Sequence, residues 1–138
     1  MRKFELEHRV GYAETDAMAI VHHSNYIRWF EMGRNDLLRS LGYPYSQLEK
    51  LGIWMPVIGV ECKYKSPSVF DEVVIIRSWI DKLKGASVTL GYEVVGKEDG
   101  TLRVTGSSSH GFTDPDLVPL RLKKHYPELY EKMAAAAK

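Results

Sequence analysis

Hydrophobic and polar residues alternate from the start of the chain. Phe4, Leu6, His8, Val10 and Tyr12 share one phase, and Lys3, Glu5, Glu7 and Arg9 the other. A period of two sends successive side chains to opposite faces, so this segment predicts a strand with one face buried. Residues 13–23 break the alternation and read as a loop. From Ser24 the period becomes helical: Tyr26, Phe30, Gly33, Leu37 and Leu41 fall at i, i+4, i+7, i+11 and i+15. Ser24 or Asn25 can cap the helix start, and Gly42 followed by Pro44 stops it. A glycine inside such a stripe costs about 1 kcal/mol relative to alanine, so Gly33 implies a close approach to a sheet.

A short irregular or helical segment, 44–52, leads into four strand-like runs. Ile58, Val60, Cys62 and Tyr64 alternate with Gly59, Glu61 and Lys63. Residues 72–80 are apolar at nearly every position, which predicts burial on both faces. Val88, Leu90, Tyr92 and Val94 form the next alternating set. Leu102, Val104, Gly106, Ser108, His110 and Phe112 form the last. Lys82–Gly85 and Glu98–Gly100 carry hairpin turn signals. After Pro119, a short helix is predicted from Pro127 onward. Strand, long helix, then four antiparallel strands is an α+β arrangement with one helix packed on a sheet. One helix cannot cover all of a five-stranded sheet, so a homo-oligomer is expected.

Composition narrows the function classes. The 138 residues suit one domain spanning 1–138, and 44% hydrophobic with 27% charged residues is a globular balance. A formal net charge of +1 supplies no field for nucleic acid. Cys62 is the single cysteine, so no intrachain disulfide forms and a reducing compartment, the cytoplasm, is expected. The amino terminus lacks the apolar run of a signal peptide, and no segment approaches the ~20 apolar residues of a membrane helix. No membrane insertion is expected.

The chemistry-bearing stretch is residues 12–34, which joins the end of a strand to the start of a helix. Asp16 lies in its loop, which leads to the helix-opening amides near His23 and Ser24. Free N–H groups at a helix start bind anionic oxygen. A carboxylate facing such amides, with an electrophilic carbonyl between them, has the parts acyl transfer needs. The amides stabilise the oxyanion, and the carboxylate attacks the carbonyl or activates water.

Tyr12-x-x-x-Asp16, Val21-His-His-x-Asn-Tyr26 and Arg28-Trp-Phe-Glu31-x-x-Arg34 carry a resemblance that covers nearly the whole chain to about Pro119. The sequence resembles the 4-hydroxybenzoyl-CoA thioesterase family of hotdog proteins, including the Tol–Pal-associated acyl-CoA thioesterases. A weaker match is Tyr64-Lys-Ser-Pro67 leading to Asp71. The resemblance implies a hotdog fold, a five-stranded antiparallel sheet wrapped around one long helix. It implies hydrolysis of an acyl-CoA thioester to a carboxylic acid and CoA without cofactor or metal. It implies homodimers, usually paired as homotetramers, with active sites at the subunit interface. By the same match Asp16 is the catalytic aspartate, Tyr12 a supporting tyrosine, and the His23 N–H the donor to the thioester carbonyl. The sequence departs from the family at Met18 and Ala19, where many members carry glycine.

The remaining candidates rest on residue type. Met18, Ala19, Trp54 and Met55 are candidates for the acyl pocket, and Ser24 for substrate contact at the helix start. Lys63, Lys65, Lys82 and Lys84 are candidates for the CoA phosphates, against a plain reading as solvated strand ends. Glu14 is expected to be solvated. Glu31 is a second candidate carboxylate, expected to pair with Arg28 or Arg34 at helical spacing. Adjacent His22 and His23 rarely converge on one ion, so no metal site is expected. His110 and Cys62 read as structural. Two rival functions are an acyl-thioester hydratase or dehydratase using His23 with Asp16, and a non-catalytic acyl-CoA-binding protein on the same fold.

Overall fold

In a computed structural model describing residues 1–138, strand β1 (Phe4–Arg9) leads through a 3-10 turn (Tyr12–Glu14) into helix α1 (Ser24–Ser40). A short helix α2 (Tyr45–Leu51) follows, then strands β2 (Val57–Tyr64), β3 (Val73–Leu83), β4 (Ser87–Gly96) and β5 (Leu102–Gly111). Helices α3 (Leu122–His125) and α4 (Pro127–Ala137) close the chain. The five strands form one antiparallel sheet in the order β1-β3-β4-β5-β2. This is the α+β hotdog arrangement expected from the sequence.

The helical stripe packs as its spacing requires. Tyr26, Trp29, Phe30, Leu37 and Leu38 of α1 are buried against Val74, Ile76 and Ile80 of β3, Leu90, Tyr92 and Val94 of β4, and Val104 of β5. Gly33 lets the helix approach the sheet: a Cβ there would stand 3.0 Å from Ile76 Cγ2. Its carbonyl accepts a hydrogen bond from the buried Ser78 hydroxyl at 3.2 Å. Phe30 stacks face to face on Tyr92, centroids 4.5 Å apart, above Gly106, which has no side chain to block the ring. Leu129, Met133 and Ala136 of α4 join the same core.

Three expectations need correction. Residues 72–80 are not buried equally on both faces. Val74, Ile76, Ser78 and Ile80 point into the core, whereas the outer face carries Arg77, which bridges Glu5 at 2.6 Å and Glu93 at 3.3 Å. The alternation of β2 holds from Val60 through Cys62 to Tyr64, but a bulge at Ile58 breaks it, so that Val57 and not Ile58 is in register with them. Ile58, Val60 and Tyr64 are exposed because β2 is an edge strand that α1 covers only in part, Tyr26 reaching Tyr64 at a ring separation of 5.7 Å. Finally, neither Ser24 nor Asn25 caps α1. His23 occupies the cap position without a side-chain bond, and Asn25 Nδ2 instead donates to the Glu14 carbonyl at 2.9 Å.

Candidate active site

The strand–loop–helix stretch folds into a tight frame. Thr15 and Val21 pair across it, and the Asp16 N–H donates to the Ile20 carbonyl at 2.9 Å. The Ala19 N–H returns to the Asp16 carbonyl at 3.0 Å, closing a turn over residues 16–20. That turn places Ala19 at φ 65°, the left-handed region where glycine is at ease. The departure from glycine at this position therefore leaves the turn intact with a strained alanine. A second set of bonds ties the frame to its surroundings: Ile20 pairs with Val69, the Val21 N–H donates to Ser68 O at 2.9 Å, and the His22 N–H donates to Glu14 O at 2.8 Å.

The frame opens into a cleft of about 370 Å³, lined by Asp16, Met18, Ile20, Val21 and His23, with Tyr26 from α1 and Tyr64, Lys65, Ser66 and Pro67 from the end of β2. Asp16 is half-buried, and its Oδ1 accepts the Met18 N–H at 2.8 Å. Its other oxygen makes no hydrogen bond within the chain. The His23 N–H likewise has no acceptor within the chain. It stands at the opening of α1, where the aligned backbone dipoles favour negative charge. A free carboxylate oxygen and a free helix-start amide on one cleft can attack and polarise a carbonyl. Apolar and aromatic side chains make up much of the cleft wall. Tyr26 donates to Ser68 Oγ at 3.2 Å, and Tyr64 donates to the His23 carbonyl at 3.3 Å. Burial pushes the Tyr26 phenol above its ordinary range, so it remains a neutral donor.

The structure brings some predicted residues together and leaves others apart. Asp16, Met18, His23 and Lys65 share the cleft. Tyr12 does not: its ring is 77% exposed and packs edge-on against Phe70, and its hydroxyl makes no bond to Asp16. Ser24 hydrogen-bonds the His22 ring at 2.8 Å and does not line the cleft. Trp54 pairs with Thr113 at the opposite end of β2, and Met55 is buried in the core. Lys63 is exposed on β2, and Lys82 and Lys84 lie on the β3–β4 hairpin, away from the cleft of the same chain. Glu31 forms no ion pair, in contrast to the expected bridge to Arg28 or Arg34, and is exposed on α1. The His22 and His23 rings stack as near-parallel plates 4.2 Å apart, and no group of three His, Cys, Asp or Glu is placed to hold a metal ion.

Sequence reasoning missed Glu14. Far from being solvated, its carboxylate accepts the Trp29 Nε1–H at 2.6 Å and the Gly11 N–H at 2.8 Å, and meets His8 Nε2 at 2.8 Å. Burial works to raise its pKa. The bonds from Gly11, Trp29 and His8 overcome that and hold it below the usual carboxylate range. The one sequence signal was the Trp29 indole on the buried stripe, a donor that needs an acceptor.

The chain matches the thioesterase-like superfamily over residues 10–129. It is 37% identical over 134 residues to the putative acyl-CoA thioesterase YneP of Bacillus subtilis, covering 94% of this chain and 95% of that one. It is 41% identical over 96 residues to a putative esterase of Aquifex aeolicus, covering 70% of this chain and 74% of the relative. Among solved structures it resembles a DHNA-CoA thioesterase from Staphylococcus aureus, with TM-score 0.93 and 33% identity over 98% of this chain and 91% of that one.

Proposed function

The chain belongs to the thioesterase-like superfamily, and from that premise we propose that it hydrolyses acyl-CoA thioesters to a carboxylic acid and free CoA at the Asp16 cleft. The observation that carries this reading is the pairing, in one cleft, of a carboxylate oxygen and a helix-start amide that have no partner within the chain. The His23 N–H donates to the thioester oxygen and strengthens its bond as that oxygen becomes anionic. Asp16 delivers the attack in one of two ways. It bonds to the carbonyl carbon and expels the CoA thiolate, and water then opens the mixed anhydride. Alternatively, it takes a proton from a water that attacks the same carbon. Either route consumes one water and yields one acid and one thiol.

The second half of the site comes from a second copy of the chain. Edge strand β2 offers unpaired backbone groups and exposed Val57, Ile58, Val60 and Tyr64. Antiparallel pairing of β2 with its copy continues the sheet and covers those side chains. It also sets the Trp54 end of one β2 beside the Tyr64 end of the other, so that Trp54 and Met18 can wall the acyl group. The same pairing carries the hairpin end bearing Lys82 and Lys84 of one copy to the cleft end of the other. There those residues, with Lys63 and Lys65, suit the CoA phosphates. We place the enzyme in the cytoplasm as a homodimer or homotetramer.

Free-thiol release from a panel of short, medium and aromatic acyl-CoA esters tests the reading. Thiol release matched by acid formation is expected. Loss of thioester absorbance without thiol would replace hydrolysis by hydration, and tight binding without turnover would make the protein a binder.

A further inference from the structure

We propose that Glu14 is the positioning residue of the site and holds the Asp16 carboxylate in register with the His23 amide. This rests on the reading of Asp16 and His23 given above. Glu14 is joined at both its side chain and its main chain. Its carboxylate takes the Trp29 indole of α1 at 2.6 Å and the Gly11 N–H at the exit from β1 at 2.8 Å, and faces His8 of β1 at 2.8 Å. Its carbonyl takes the His22 N–H at 2.8 Å and Asn25 Nδ2 at 2.9 Å. One residue therefore ties together the strand, the turn, the start of α1 and the returning loop. Asp16 lies two residues beyond it, and His23 follows directly on the His22 amide it holds. Trp29 is fully buried, so its indole N–H has no water to turn to when the Glu14 carboxylate is lost.

The chemistry of the clamp is specific. Both carboxylate oxygens act as acceptors, toward donors on different elements. A glutamine offers a single acceptor oxygen and sets an NH2 against either the Gly11 N–H or the Trp29 N–H. An error of about 1 Å in the reacting groups is enough to cost about a hundredfold in rate.

The test compares Glu14→Gln and Glu14→Ala with wild type in acyl-CoA hydrolysis, with circular dichroism and melting curves confirming the fold at the assay temperature. We expect kcat to fall about tenfold to a hundredfold in both variants, with KM within about threefold, because the lost term is alignment and not binding. In an Asp16→Asn background the same Glu14 changes should leave the residual rate unchanged, as expected for a residue that acts through Asp16. If Glu14→Ala does not fold, the Gln variant alone decides. Full kcat in a folded Gln variant overturns the proposal while leaving Asp16 in place. A rate loss of equal size in the Asp16→Asn background also overturns it, because Glu14 would then act independently. Wild-type activity in Asp16→Asn itself would instead remove the underlying site reading.

Discussion

Acidification from neutral pH to pH 5 should cost the fold about 2 kcal/mol through His110, whose buried ring stays neutral while the unfolded chain's imidazole takes up a proton. The ring is fully buried and closes a column of polar groups beneath α1. Arg34 donates to the Tyr92 hydroxyl at 3.4 Å, Tyr92 and Ser108 lie 2.6 Å apart, Ser108 meets His110 Nε2 at 2.7 Å, and His110 Nδ1 meets the Met55 carbonyl at 3.3 Å. The carbonyl at one end requires a proton on Nδ1, so Nε2 accepts from Ser108, Ser108 accepts from Tyr92, and Tyr92 accepts from Arg34. A second proton on Nε2 reverses that order and leaves the Tyr92 O–H pointing at the Arg34 N–H. Burial, with the nearby Arg34 charge, accordingly lowers the His110 pKa from 6.5 to about 4. Between those values the unfolded chain binds a proton that the native chain does not, so stability rises with pH across the window and falls on acidification. Linkage gives about 2 kcal/mol between pH 7 and pH 5, with the full shift worth about 3 kcal/mol. Urea unfolding of wild type and His110→Gln at both pH values measures it. The variant is less stable at pH 7, and its loss between pH 7 and pH 5 should be smaller than that of wild type by about 2 kcal/mol. Parallel losses in the two proteins would refute the argument.

Three further outcomes follow from particular contacts. A Cβ on Gly106 would meet the Phe30 ring and stand 2.5 Å from the Glu61 carbonyl, so Gly106→Ala should destabilise by about 1–3 kcal/mol or more, read as a lowered Tm. Lys65→Ala, which removes the one lysine on the cleft, should raise KM for acyl-CoA with little change in kcat, as steady-state kinetics would show. On the proposed pairing of two copies through β2, Val60→Lys should shift the protein toward monomer in sedimentation and abolish thiol release together.

Much of the fold was legible because it is written in periodicity. The stripe from Tyr26 to Leu41 and the alternations of β4 and β5 point where the spacing says, and the misplaced glycine at Gly33 marks the approach of α1 to Ile76. What periodicity cannot convey is coverage. It assigned Val60 and Tyr64 to one face correctly and missed the bulge that takes Ile58 out of phase, and whether that face is covered depends on where β2 falls in the strand order. The same limit separates Trp54 from Asp16, because they lie at opposite ends of the molecule along β2. That Asp16 and His23 share a cleft was legible because a strand, a loop and a helix start follow directly in sequence. Glu14 was not, because its partners His8, Gly11 and Trp29 are gathered from three elements. Tyr64 and Pro67 reach the cleft only through the sheet, and their short motif alone hinted at it.

The most direct test of the central claim is kcat for Asp16→Asn against wild type on the best acyl-CoA ester, measured as free-thiol release with both proteins shown to be folded. The substitution keeps the size of the side chain and an acceptor for the Met18 N–H while removing the attacking or proton-accepting oxygen. A fall of about 10²–10⁴ with the fold intact is predicted. Equal release by both proteins would remove Asp16 from the chemistry and contradict the account.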